Sequence, residues 1–198
     1  IHEQNMRHRL TEALCGYHEK YPYRYGMKKA EIHMTYMKKV KLNVFDLYVE
    51  MLSEEGALKR HQEFLQLPEF EVRKDAVYEK VLKTVQKQFE KAQFDFQRFS
   101  EISFGNIKRE EVEDIMLLLI DEDIVVKITE DIYTLKSIIE KAKEVIQNRL
   151  KENPLITIAE VRDLLGTSRK SAKPILEYMD SIKVTKKNGT ESERVAYV

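Results

Sequence analysis

Residues 156–180 read ITIAEVRDLLGTSRKSAKPILEYMD, and the fold is decided in this stretch. Thr157-x-x-Glu160 is a capping box, in which a hydroxyl and a carboxylate satisfy two free amides at the start of a helix. Gly166 interrupts that helix, and a second one opens on hydroxyls and cations before ending near Asp180. Two helices joined across one glycine form a helix-turn-helix. Pro174 removes the hydrogen bond to the Lys170 carbonyl, which predicts a kinked helix or one that starts later.

The flanks extend the pattern. Upstream, Ile138 to Asn153 reads as a helix stopped by Pro154; downstream, Val184–Lys187 and Val195–Val198 read as the strands of a hairpin. A helix, a helix-turn-helix and a hairpin within about 60 residues is the winged-helix plan. The same order of signals occurs twice earlier. In the first segment Met6–His18 and Met27–Val40 read as helices, and Asn43 is placed to cap a third that Gly56 ends. Ala57–Arg60 and Phe64–Leu67 follow as strands. In the second, a long helix from about Arg73 to Ala92 and a turn from Phe99 to Gly105 precede a helix holding Val112, Ile115, Met116 and Leu119. Ile124–Ile128 and Ile132–Leu135 then pair. The junctions before the hairpins align: Leu52-x-x-Glu55-Gly56 with Leu119-x-x-Glu122-Asp123, and both with Tyr178-x-x-Ser181-Ile182. The expected architecture is therefore mainly α with small β hairpins, an α+β tandem array of three winged helices: residues 1–68, 69–137 and 138–198.

Among 198 residues, 34 basic side chains balance 34 acidic ones, and 42% are hydrophobic. No apolar run approaches the roughly 20 residues of a spanning helix, so a membrane protein is excluded at this level. A lone cysteine, Cys15, and no signal peptide point to the cytosol. Cys15 sits beside Leu14 on the apolar side of the first helix and reads as a buried structural thiol. The first residue is not Met, which fits a piece of a longer protein. None of the six glycines builds a phosphate loop or a dinucleotide turn, and His18-Glu19 lacks the second histidine of a zinc helix. Glu110, Glu111, Glu113 and Asp114 read as the solvated start of a helix, where the dipole favours acids. No catalytic constellation, metal site or cofactor site is expected.

Charge is distributed unevenly. The three segments carry +2, −5 and +3, which makes the middle one acidic and spacer-like. From Arg162 to Lys187 seven cations, including Arg162, Arg169, Lys170, Lys173, Lys186 and Lys187, stand against Asp163, Glu177 and Asp180. Thr167 or Ser168 would cap the second helix, whose free amides and cations would cradle a phosphate. Tyr178 is placed in the core with Ile175 and Met179, and the motif offers no obvious exposed aromatic.

The run RDLLGTSRKSAKPILEYMDSIKVTKK, residues 162–187, resembles the last winged helix of the bacterial selenocysteine-specific elongation factors, the SelB family. Tyr17-His18 followed by Pro22-Tyr23-Arg24-Tyr25-Gly26-Met27, and the Leu65-Gln66-Leu67-Pro68 turn, resemble an earlier winged helix of the same family. The resemblance covers essentially the whole chain, as the final three of four winged helices that follow a GTPase. It implies an RNA-binding fragment without catalysis of its own. The expected partners are the SECIS hairpin of an mRNA and, through the full-length protein, the ribosome and selenocysteyl-tRNA at UGA codons. A monomer is expected, with no membrane contact and no cofactor. The RNA-binding positions carried over are Arg162, Thr167, Ser168, Arg169, Lys170, Lys173, Lys186 and Lys187, while the first two winged helices would serve as spacers. A DNA-binding regulator, usually a symmetric dimer, and a protein-interaction scaffold are the competing readings of the same helix-turn-helix.

Overall fold

The computed structural model describes residues 2–197. The chain packs as two units, one running to Tyr78 together with Glu113–Ile115, the other holding Glu79–Val112 and everything from Met116 onward.

In the first unit, helix α1 (His2–Lys20) precedes strand β1 (Met27–Lys28), helices α2 (Lys29–Tyr36) and α3 (Leu42–Glu54), and strands β2 (Lys59–His61) and β3 (Phe64–Gln66). The sheet is antiparallel in the order β1-β3-β2, with Met27 opposite Leu65. It therefore has three strands where the sequence pattern predicts a hairpin. Met27 and Lys28 leave the expected helix because Gly26, without a Cβ, lets the backbone of Leu65 come close enough to pair. Lys41, not Asn43, occupies the N-cap of α3, and it makes no side-chain capping bond. The core gathers Leu10 and Leu14 of α1, Ile32, Met37, Phe45, Val49, Leu52 and Leu65.

Two expectations fail here for geometric reasons. Cys15 is exposed; each helical residue turns by about 100°, so the position after Leu14 leaves the buried stripe of Leu10, Ala13 and Leu14. Asp114 is not solvated but buried, and it accepts a 2.8 Å hydrogen bond from Arg24 Nε. His18 is buried as well: its Nε2 accepts the Leu67 N–H at 3.2 Å and its ring stacks on Phe70. Burial holds the His18 pKa below its ordinary value against the opposing charge of Glu69, so the ring is neutral.

The second unit contains most of α4 (Ala76–Ala92), which begins three residues later than its pattern suggests. Helix α5 (Arg109–Asp121) leads to the two-stranded ribbon β4 (Val125–Thr129) and β5 (Ile132–Leu135). Helix α6 (Lys136–Glu152), strand β6 (Leu155–Thr157), helices α7 (Ile158–Leu165) and α8 (Arg169–Ser181), and strands β7 (Thr185–Lys187) and β8 (Glu193–Ala196) complete it. The last sheet again has three strands, β6-β8-β7, because Leu155–Thr157 pairs with Glu193–Val195. Val198, assigned to the final strand by its pattern, lies outside the described residues.

The capping box at the start of α7 forms as expected, with the Thr157 hydroxyl accepting from the Glu160 N–H and the Glu160 carboxylate accepting from the Thr157 N–H. Burial alone would raise the Glu160 pKa, but the Thr157 N–H and the Arg149 guanidinium hold it below the usual carboxylate range. Helix α8 starts at Arg169 and runs unbroken through Pro174, which settles where it begins.

The three helix-to-ribbon junctions share one hydrogen-bond pattern. Ala57, Ile124 and Val184 donate their N–H to the carbonyls of Leu52, Leu119 and Met179, across left-handed residues Gly56 (φ 71°), Asp123 (φ 60°) and Lys183 (φ 59°). This is the Schellman helix end, whose register follows the left-handed residue. It shifts the third junction by one position from the sequence alignment: Met179, fully buried, matches Leu52 and Leu119, while Tyr178 is only half-buried against the same core.

The core of the last segment also draws on residues upstream of Ile138. Ile146, Ile156, Val161, Ile175, Leu176 and Met179 are joined in it by Val126 from β4, with Phe94, Phe96 and Ile128 packed against it. A fragment of residues 137–198 alone, as the sequence boundaries suggest, would expose these contacts. It should be less stable than a fragment from Glu79 to the end by several kcal/mol, since each large apolar side chain removed from a core costs about 2–5 kcal/mol. Urea melts of the two fragments check this; equal midpoints would mean that Phe94, Phe96 and Val126 are not part of that core.

Candidate nucleic-acid interface

The second helix of the helix-turn-helix departs from ordinary helix design. Helix α8 has no acid in its first turn and no base in its last. Instead Arg169 and Lys170 sit in the first turn, where the positive end of the helix dipole disfavours each cation by about 0.3–1 kcal/mol. Both are exposed, and neither has an ion-pair or hydrogen-bond partner among the described residues. The two cations are therefore open to solvent at a position that the helix dipole disfavours.

The helix end itself is taken. Thr167 Oγ1 donates to the Phe94 carbonyl at 2.6 Å, and Ser168 Oγ to Asp95 Oδ1 at 3.0 Å. Ser171 Oγ, buried, accepts the Phe96 N–H at 3.0 Å and lies 3.4 Å from the same Asp95 oxygen. Ser168 holds the N-cap position without making a side-chain capping bond. The hydroxyls expected to cradle phosphate therefore hold the turn after α4, and the Asp95 carboxylate occupies the positive helix end. No sequence signal links positions 95 and 168, which are 73 residues apart.

The remaining candidates divide. Arg162 turns back on its neighbour, its Nε 2.7 Å from Asp163 Oδ1. Lys173 forms an exposed 3.7 Å pair with Glu177 one turn on, and Lys187 a 2.6 Å pair with Glu191 in the wing loop. The Glu191 carboxyl is held below the usual carboxylate range, first by the Lys187 hydrogen bond and charge, and further by the charges of Lys173 and Arg194. Lys173 of α8 and Lys187 of the wing are thus each paired with an acid of their own element or loop, Glu177 and Glu191. Such exposed pairs are weak, on the order of 0–1 kcal/mol, and a phosphate can displace the carboxylate.

The wing is fixed from beneath by Arg194, which is 0% exposed. Its Nε donates to Asp180 Oδ2 at 2.7 Å, and its Nη1 to the carbonyls of Glu191 and Glu193. Thr185 Oγ1 donates to the other Asp180 oxygen at 2.6 Å. This buried pair ties the end of α8 to both wing strands.

Models of the second and third winged helices of elongation factor SelB match residues 11–67 and 148–192, together just over half of the chain. The chain belongs to the SelB family. The 148–192 match contains all eight candidate positions. A selenocysteine-specific elongation factor of Desulfomicrobium baculatum is 24% identical over 185 residues, 92% of this chain. The chain spans 29% of that SelB relative's length. The mRNA-binding domain of Escherichia coli SelB, solved in complex with SECIS RNA, superposes over 63% of this chain and all of its own, with a TM-score of 0.53 and 19% identity. A bacterial selenocysteine-specific elongation factor, EF-Sec, covers 98% of this chain and 29% of its own, with a TM-score of 0.55 and 18% identity. At these identities the two superpositions establish the SelB winged-helix fold. Among the described residues no helix is long and apolar enough to cross a membrane.

Sequence reasoning missed Arg194 and Tyr197 in this SelB wing. The former was hidden in an acidic stretch, Glu191-Ser192-Glu193; the latter, exposed, was absorbed into the strand pattern at the end of the chain. Alternation along β8 was the available signal, since Val195 and Tyr197 share one face and Arg194 the other.

Proposed function

We propose that this chain is the mRNA-binding part of a selenocysteine-specific elongation factor. Its last winged helix, residues 138–198, holds a SECIS hairpin, and residues 1–68 and 69–137 act as spacers toward a GTPase. The chain works by binding, as a monomer in the cytosol, with no catalytic step or cofactor of its own. Through the full-length protein it would bring selenocysteyl-tRNA to the ribosome at UGA.

The observation that carries this reading is the pair of unpartnered cations Arg169 and Lys170 in the first turn of α8, inside the segment matched by the SelB model. Lys173 and Lys187 add charge from the neighbouring helix turn and wing, where RNA phosphates displace their exposed partners Glu177 and Glu191. Phosphate contacts set affinity and register, whereas unpaired bases of the hairpin carry identity. Arg162, Thr167 and Ser168 contribute by shaping the turn and its neighbour, not by free donors.

Replacing Arg169 and Lys170 together by Ala should weaken hairpin binding and flatten the dependence of log K on log salt by about 1.5–2, the loss of two phosphate contacts. The melting temperature should stay or rise, since both cations oppose the helix dipole. Anisotropy titrations at several salt concentrations measure this; an unchanged slope would remove α8 from the interface.

A further inference from the structure

We propose that Tyr197, with Lys183 and Lys186, forms a stacking subsite for an unpaired nucleotide of the bound RNA, an inference that rests on the RNA-binding reading above. Tyr197 is 47% exposed, yet it is not a loose end, because its N–H donates to the Val184 carbonyl at 3.0 Å. That bond extends the β7–β8 pairing by one step beyond Thr185 opposite Ala196. Side chains alternate across the ribbon, so Tyr197 shares a face with Lys186, while Thr185 and Arg194, both buried, hold the other face against Asp180.

The ring has cations on two sides. Lys186 Nζ lies 5.8 Å and Lys183 Nζ 5.9 Å from its centroid. Neither lysine has an ion-pair partner among the described residues. Lys183 is also the left-handed residue of the α8 helix end, at φ 59°, a position where a lysine costs more than the glycine found at the first junction. A polar aromatic face between two free ammonium groups, on a fixed ribbon, is what a nucleotide needs. The base stacks on the ring, the flanking phosphates meet the cations, and no particular base is demanded.

The test uses the full chain and a SECIS hairpin carrying 2-aminopurine at each unpaired position in turn. At one position the wild type and Tyr197→Phe should quench the fluorescence, and Tyr197→Ala should not. Affinity should fall about tenfold to a hundredfold in Tyr197→Ala and be retained in Tyr197→Phe. Thermal melts of both variants should match the wild type, since the ring is exposed. If Tyr197→Ala binds and quenches like the wild type while Arg169→Ala with Lys170→Ala weakens binding, the subsite is overturned and the RNA-binding reading stands. If the wild type does not bind the hairpin, both fall.

Discussion

Asp180→Ala should destabilise the second unit by about 3–5 kcal/mol, because it strands a buried cation. Arg194 is 0% exposed, and among the described residues its guanidinium pairs with the Asp180 carboxylate. One guanidinium nitrogen, Nη2, is already buried with no partner among the described residues, which offer no spare acceptor to take over. The Thr185 hydroxyl, also buried, loses its acceptor in the same substitution. Asp180→Asn, which keeps an acceptor but not the charge, should cost less. Replacing Asp180 and Arg194 together by Leu and Met removes the charge with its partner and should recover much of the loss. Hydrogen exchange at the β7 and β8 amides, alongside urea melts, distinguishes a collapsed wing from a general loss of stability. An Asp180→Ala variant with wild-type protection in both strands would show that the pair does not hold the wing.

Gly26→Ala should damage the first unit nearly as much. A Cβ at Gly26 would stand 2.1 Å from the Leu65 carbonyl oxygen and 2.8 Å from its carbon. Those are backbone atoms of the central strand, bonded to β1 on one side and β2 on the other, so they cannot swing aside as a side chain would. The sheet must open at Met27 opposite Leu65, at a cost of about 3 kcal/mol for forced overpacking. Gly16→Ala is the control. It lies inside α1 with open space around the new Cβ, and should stabilise by about 0.5–1 kcal/mol through helix propensity. Opposite signs for two identical substitutions would be read directly from urea midpoints; equal effects would mean that the Gly26 approach is not tight.

What the sequence made legible was much of what is written in local chemistry, although the Asn43 cap and the Pro174 break did not form. The Thr157–Glu160 capping box, the helix-turn-helix across Gly166 and the three helix-to-ribbon junctions follow from residues within a few positions of one another. The additional strands β1 and β6 were not legible, because two or three residues carry no period, and their pairing with Leu65 and Val195 is settled by distant parts of the chain. The one-residue slip at the third junction has a similar origin. Lys183 adopts the left-handed conformation that glycine signals at Gly56, and nothing in the residue type announces it. At the site, the cations were visible as a charge run, but their availability was not. Thr167 and Ser168 have the composition of a phosphate cradle and are spent on Phe94 and Asp95, whereas Arg169 and Lys170 remain open. The buried state of Arg194 depends on Asp180 and the wing carbonyls, contacts that exist only once the ribbon has formed.

The central claim is that the last winged helix reads an RNA hairpin and not merely negative charge. The most direct measurement is a competition titration of the full chain with three labelled nucleic acids: a SECIS hairpin, the same stem with its apical loop replaced, and a duplex DNA of equal charge. About six cations are placed to meet phosphates, Arg169, Lys170 and Lys173 on α8 with Lys183, Lys186 and Lys187 beside and on the wing, so binding should weaken with salt at a slope of roughly −4 to −5. The native hairpin should bind at least tenfold, about 1.4 kcal/mol, more tightly than either competitor at every salt concentration. Equal affinity for all three would make α8 and the wing a nonspecific polyanion surface, and would contradict the account.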